Sequence, residues 1–361
     1  MRSITSTNSI LEGNRLALAR LLTQVENDSA EGRAALTELF PHTGKAHLIG
    51  VTGAPGTGKS SLVNQLALHY RKSQNIKIAI VAVDPSSPFT GGAVLGDRVR
   101  MRDLSGDDDV FIRSMATRGS LGGIAQTTAS FAQVFDAAGY DVIIIETVGA
   151  GQSEVDIARL AHTTVVVEAP GLGDDIQAIK AGILEIADVL VINKADRPGV
   201  ENTERALRTT LELAHPTKHI FHHHGQTMLV GDSSTAQSDM DIWIPPIHKT
   251  VATEGTGIAE LAESIAKHVA HLRVSGDWAD RERARLGSEL EAALQEELVS
   301  RFRENVQQTK YEEVVEKVMN RNLSPYEAVK ILLNGNAPHP NPSPREALPK
   351  GAGRGARGEG K

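Results

Sequence analysis

Apolar residues along this chain fall into two periods. Short runs, many of them β-branched, recur at Ala46 to Thr52 (AHLIGVT), Ile76 to Val83 (IKIAIVAV), Val110 to Arg113, Asp141 to Glu146 (DVIIIE), Thr164 to Ala169 (TVVVEA), Ala187 to Asn193 (ADVLVIN) and Ile247 to Ala252. Their near-unbroken apolarity predicts parallel strands covered on both faces. Between them the spacing turns helical, as at Val63, Leu66, Ala67 and Tyr70, and again after Gly257. Strands alternating with helices predict an α/β fold with a mostly parallel sheet flanked by helices.

The two ends read differently. Ser9 to Phe40 predicts two helices, with Leu11, Leu16, Leu18, Leu21 and Leu22 on the first, and the second capped at Asp28 or Ser29 and stopped by Pro41. An amphipathic pair of this kind is expected to lie on the sheet as a packing element. From Asp277 the chain is polar and helical, and Leu286, Leu290, Leu294, Leu298, Phe302 and Val306 recur every fourth residue. That spacing drifts by about 40° per step, so the stripe winds and needs more than one covering neighbour, either the main domain or a second copy of the chain. Ser324-Pro325-Tyr326-Glu327 is a capping box with Pro at the first helical position, and Gly335 ends the last helix. Asn336 to Lys361 is rich in Pro and Gly and predicts a disordered tail. The expected partition is therefore 1–42 as a helical segment, 43–275 as the α/β domain, 276–335 as a helical extension for dimerisation, and 336–361 as tail.

Composition narrows the chemistry. A formal charge of −7 argues against a nucleic-acid surface, and the absence of cysteine removes disulfides, thiolate zinc sites and cysteine nucleophiles. The start lacks the apolar core of a signal peptide, and no apolar run approaches the roughly 18 residues of a membrane span. The expectation is a cytoplasmic protein with neither membrane nor nucleic-acid partner.

The chemistry sits at the strand ends. Gly53-Ala54-Pro55-Gly56-Thr57-Gly58-Lys59-Ser60-Ser61 satisfies GxxxxGK[ST] between a strand and a helix. Its glycines let backbone N–H groups turn inward around phosphate oxygens, at the positive end of the following helix. Lys59 is then expected on the β/γ-phosphates and the Ser60 hydroxyl on Mg²⁺. Asp84 ends the second run beside Pro85, at the carboxyl edge where open α/β sheets bind ligands, and is expected on a strand beside the one that holds the loop. It is a candidate for Mg²⁺ or for the attacking water, the other reading being a turn-forming Asp before Pro. Phe89 to Asp109, which contains Asp97, is glycine-rich and then charged, a composition flexible enough to serve as a switch that orders on the γ-phosphate. Glu146 occupies the acidic strand end that holds Mg²⁺ in P-loop enzymes, with Gly149 placed to bond the γ-phosphate.

Asn193-Lys194-Ala195-Asp196 matches NKxD directly after a strand. The Asp196 carboxylate would accept from guanine N1–H and its 2-amino group, Asn193 would brace the loop, and the Lys194 stem would cover the ring. Adenine offers no matching donors, and a site built on such bonds rejects it. Val251, Ala252 and Thr253 fall where guanine O6 would meet a backbone N–H. His219 and His222 to His224 form a loop open to a metal reading or to plain solvation.

In this order and spacing GAPGTGKSS, VDPSS, LGDRVRM, ETVGAGQSE, EAPGLGDDIQAIKAGILE and NKAD resemble the MeaB/MMAA family, also called ArgK. These are P-loop GTPases of the SIMIBI class with glutamate at the acidic strand end. The resemblance runs from Ser9 to Gly335. It implies a homodimer that binds Mg·GTP, hydrolyses it slowly alone, and acts as chaperone of an adenosylcobalamin-dependent acyl-CoA mutase, methylmalonyl-CoA mutase, by gating cofactor loading and protecting the enzyme. It also implies that Ser60, Asp84 and Glu146 surround Mg²⁺ or the water, that Asp97 lies in the first switch, and that Gly171, Gly173, Asp174, Asp175 and Lys180 belong to a third switch that reaches the mutase. Val251 departs from the serine usual there. Two other classes stay open, a metallochaperone GTPase that would use the histidine loop and a transport-linked kinase that would prefer ATP.

Overall fold

A parallel sheet is built around β1, the strand that leads into the glycine loop. In the computed structural model the described residues are 7–85, 101–104, 106–117, 123–147, 153–171, 185–214, 221–223, 226–228 and 242–334. Three helices come first: α1 (Thr7–Leu11), α2 (Arg15–Glu26) and α3 (Ala30–Leu39). The α/β part follows as β1 (His47–Thr52), α4 (Lys59–Gln74), β2 (Ile78–Pro85), β3 (Val110–Thr117), α5 (Gly123–Ala137), β4 (Val142–Glu146), α6 (Ser153–Leu160), β5 (Thr163–Glu168), β6 (Val189–Asn193) and α7 (Val200–Ala214). A small antiparallel ribbon, β7 (Phe221–His223) with β8 (Gln226–Met228), precedes β9 (Ile247–Thr250) and α8 (Ile258–Ser275). Then come α9 (Asp277–Asn305), α10 (Gln308–Met319) and α11 (Pro325–Asn334).

The main sheet has seven strands in the order β3-β2-β4-β1-β5-β6-β9, all parallel. Because successive strand residues point to opposite faces, neighbours in β1 and β4 enter different layers. Leu48, Ile143 and Ile145 pack with Leu18, Leu22, Phe131, Phe135 and Ile157 on one face. Ile49, Val51 and Ile144 pack with Leu62, Leu66, Ile258 and Leu261 on the other.

Several expectations are corrected. The N-terminal segment is three helices rather than two, because Gly13 turns the chain at φ +80° and Asn14 then caps α2 by accepting from Ala17 N. Leu16 is exposed, since residues two apart on a helix cannot share the face that buries Leu18 and Leu22. Ser29, not Asp28, caps α3, accepting from Gly32 N at 3.0 Å. The edge strand β3 continues to Thr117, and β9 ends at Thr250, after which Val251 N bonds Thr256 O. Strand β2, which carries Asp84 inside its last two residues, does not lie beside β1; β4 separates them by pairing with both.

The start of α9 is fastened to the amino-terminal edge of the sheet. Arg281 donates to both carboxylate oxygens of Asp188, at 2.7 and 2.8 Å, and to His162 O. His162 Nε2 meets Glu282 Oε1 at 2.6 Å while the Trp278 ring stacks on the imidazole, centroids 3.9 Å apart. Burial pushes the Asp188 carboxyl up, but hydrogen bonds from Arg281 and His268 outweigh it and hold the group at about 2. Glu282 is likewise held at about 2, its burial overcome by hydrogen bonds from His162 and Arg285. Burial, with His162 and His268 nearby, lowers His47 to about 3.

The chain divides into two units between Ala292 and Ala293. Helix α9 buries none of its side chains fully, and Leu290, Leu294 and Leu298 are 71%, 55% and 58% exposed. In the second unit Val314 and Ala328 are buried, and Ser324 and Glu327 form the expected capping box: Glu327 N donates to Ser324 Oγ at 3.2 Å and Ser324 N to Glu327 Oε2 at 3.1 Å. Among the described residues no helix is long and apolar enough to cross a membrane.

Candidate nucleotide site

The glycine loop leaves the carboxyl end of β1 and enters α4 at Lys59. Gly53, Gly56 and Gly58 adopt φ of +135°, +82° and +92°, in the region that L side chains avoid. Two of the three are also sterically closed. A Cβ on Gly53 would lie 2.0 Å from Val167 O of β5, and one on Gly58 would lie 2.5 Å from Asn193 Nδ2. The loop is thus held against β5 and β6 at the centre of the sheet. No side chain caps α4 at Gly58, which leaves first-turn N–H groups directed at an anion site. Ala54 is half-buried, Pro55 and Gly56 are exposed, and Thr57 is buried with its hydroxyl on Ala54 O at 3.0 Å.

Lys59 is buried and curls over its own loop, donating to Gly53 O at 2.8 Å and Ala54 O at 3.0 Å. Ser60, one position on, is buried and its hydroxyl donates to Glu146 Oε1 at 2.6 Å. Strand pairing explains this reach: β4 lies directly beside β1, with Glu146 opposite Val51. A serine hydroxyl and a carboxylate converging beside a helix N-terminus are hard oxygen donors of the kind Mg²⁺ takes when phosphates and water complete its shell. The residues therefore fit the ion. Ser61 is half-buried in the first turn of α4.

The Asn-Lys-x-Asp loop is laced into the phosphate loop through one side chain. Asn193, the last residue of β6, donates from Nδ2 to Thr57 O at 2.9 Å, and its Oδ1 accepts from Thr250 Oγ1 and Ala252 N, each at 3.1 Å. Lys194 takes φ +58°, a strained conformation for a residue with a side chain, and places Nζ 2.5 Å from Gly56 O. Asp196 stands exposed at the rim of this loop. In the stretch after β9 the Val251 N–H donates to Thr256 O and the Ala252 N–H to Asn193 Oδ1, and Thr253 is exposed.

Gly171 follows β5 at φ +75° and is exposed. Asp84 lies at the end of β2, its side chain outside the described atoms. Asp97, Gly149, Gly173, Asp174, Asp175 and Lys180 also lie outside the described residues, as do His219 and His224 of the histidine loop. Among the described residues no three His, Cys, Asp or Glu side chains are grouped to hold a metal. Reading by motif missed Thr52, Thr147 and Thr250, buried threonines at the ends of β1, β4 and β9. Their only signal is a polar residue closing an apolar run.

A phosphate loop on the central strand of a parallel sheet, an acid on the adjacent strand end and an Asn-Lys-x-Asp loop tied to the phosphate loop define a P-loop GTPase. Within that class the chain belongs to the MeaB family: residues 18–307 match the sequence pattern described as methylmalonyl Co-A mutase-associated GTPase MeaB. It is similar to a putative GTPase of Pyrococcus horikoshii, 42% identical over 322 residues that cover 89% of this chain and 94% of that one. It is also similar to the GTPase ArgK of Escherichia coli, 35% identical over 75% of this chain and 77% of the other. The mitochondrial methylmalonic aciduria type A homolog of Caenorhabditis elegans is 29% identical over 82% of this chain and 73% of that protein. Among solved structures, a LAO/AO transport system kinase superposes with a TM-score of 0.61 at 26% identity, over 91% of this chain and 95% of the other. The protein is a GTPase.

Proposed function

We propose that this GTPase uses Mg·GTP to control an adenosylcobalamin-dependent acyl-CoA mutase, methylmalonyl-CoA mutase, gating cofactor loading and protecting the mutase, and that it does so as a cytoplasmic homodimer. The observation that carries the nucleotide half is the Asn193 side chain, which ties the base-reading loop, the phosphate loop and the Ala252 amide into one unit. A ligand held at both ends by one braced unit is oriented before reaction. Gly53 to Ser61 would hold the phosphates, and Lys59 would move from its loop carbonyls to the β/γ-phosphate oxygens. Ser60 and Glu146, with Asp84, would hold Mg²⁺, which when bound supplies charge neutralisation at the transferring phosphoryl group. Asp97 and Gly149 would respond to the γ-phosphate, and Asp196 would read the guanine edge. The mutase half rests on family membership across 18–307.

Turnover of GTP and ATP is to be measured for the purified chain, with and without methylmalonyl-CoA mutase. GTP alone should be hydrolysed, and the mutase should raise the rate. In the Gly171 to Lys180 segment, Lys180→Ala should leave GTP affinity within a few-fold while losing the stimulation. ATP turnover equal to GTP turnover would favour a transport-linked kinase, and an unchanged rate with mutase would remove the partner.

A further inference from the structure

We propose that Thr52 and Thr147 are a positioning pair that aims Glu146 at Ser60 during GTP hydrolysis, a step that rests on the reading of Glu146 and Ser60 given above. The two threonines close β1 and β4, and their side chains are fully buried. Thr147 Oγ1 donates to Thr52 Oγ1 at 3.0 Å, and Thr147 N donates to Val51 O at 3.1 Å, extending the ladder one step past the Val51 and Glu146 pair. Strand alternation puts Glu146 on the α4 face, where it meets Ser60, and the threonines on the opposite face with Leu48, Ile143 and Ile145. The pair therefore touches no phosphate. It fixes the backbone from behind at the residue next to the carboxylate and at the residue next to Gly53.

Packing alone does not account for the hydroxyls. Apart from Glu146 itself, the other buried side chains of these strands, Leu48, Ile49, Val51 and Val142 to Ile145, are all apolar. Valine would fill the same volume without a polar group to desolvate. What the two hydroxyls add is a direction: a lateral hydrogen bond where the two chains leave the sheet to different parts of the site. A carboxylate serving Mg²⁺ tolerates little displacement, because that ion holds its ligands in a near-octahedral shell.

The pair can be removed without leaving an orphan, since replacing both partners of a buried hydrogen bond by apolar groups of like shape is nearly neutral for stability. The experiment compares wild type, Thr52→Val/Thr147→Val, Thr52→Ser/Thr147→Ser and Glu146→Gln. The double valine variant is expected to melt within a few degrees of wild type, keep KM for GTP within about twofold and lose about five- to tenfold in kcat. The double serine variant, which keeps both hydroxyls, should stay within about twofold of wild type. In the nucleotide-free protein, exchange of the Thr147 amide should quicken about tenfold in the valine variant only. Wild-type kcat in the valine variant, or an equal loss in the serine variant, overturns the pair while leaving an inactive Glu146→Gln, and so the site reading, intact. Glu146→Gln at the wild-type rate would instead overturn the reading of Glu146 and the pair with it. Should the double valine variant fail to fold, the single variants Thr52→Ser and Thr147→Val decide by the same split between kcat and KM.

Discussion

Asp196 is exposed and so contributes little to packing, which makes it the residue at which guanine recognition can be tested with the least disturbance of the fold. Asp196→Asn removes a charged acceptor and supplies an amide donor. Stability should stay within about 0.5 kcal/mol of wild type. Affinity for GTP should fall roughly a hundredfold, the loss of hydrogen bonds to a charged group, and xanthosine nucleotides should bind better than before. Titration of wild type and variant with GTP and XTP checks this. The motif made Asp196 legible, because a base-reading carboxylate needs only its place after Asn193 and Lys194. The left-handed backbone of Lys194 and the contact of Asn193 with Thr57 O were not legible, since both depend on chain segments more than a hundred residues apart meeting across the sheet.

At the scale of elements, the fastening of α9 to the sheet edge sets how the fold responds to acid. Asp188 and Glu282 have folded values near 2, below their ordinary ones, so the stability they add is present above about pH 4 to 4.5 and is lost as pH falls toward 2. His47 also has a folded value below its ordinary one, about 3 against 6.5; it is held neutral, and stability drains as pH falls from 6.5 because the unfolded chain takes the proton first. All three act in the same direction, so the urea midpoint should decline below pH 6.5 and fall more steeply below 4.5. Arg281→Ala leaves Asp188 buried with a partner missing, and should cost about 2 kcal/mol at pH 7, discounted because Arg281 is partly exposed. That penalty should shrink below about pH 4, once Asp188 can take up a proton. Fluorescence of Trp243 and Trp278, the chain's two tryptophans, reports both transitions, since Trp278 stacks on His162 and Trp243 Nε1 donates to Asp188 O.

For the whole molecule the open question is what covers the α9 stripe. Leu290, Leu294 and Leu298 are exposed, and in the homodimer proposed above a second copy would cover them. Light scattering should give twice the chain mass for wild type. Leu290→Glu with Leu294→Glu should give a monomer that still binds GTP, and removal of 336–361 should change neither mass class nor nucleotide binding. A monomeric wild type would defeat the dimer.

The sequence by itself determined the seven strands, the phosphate loop, the acid at the end of β4 and the base-reading loop. Each is a local property: an unbroken apolar run, a glycine where φ must be positive, or a motif whose chemistry needs fixed neighbours. Only the tertiary structure decided that β4 and not β2 lies beside β1, which brings Glu146 to Ser60 and sets Asp84 one strand away. Strand order follows from how crossover helices stack on the two faces, and no single run of residues encodes it. The same holds for the buried polar partners. Thr52 bonds Thr147, and Asp188 bonds Arg281, across 95 and 93 positions of chain, so each side chain read alone looks like a stray polar group in an apolar setting.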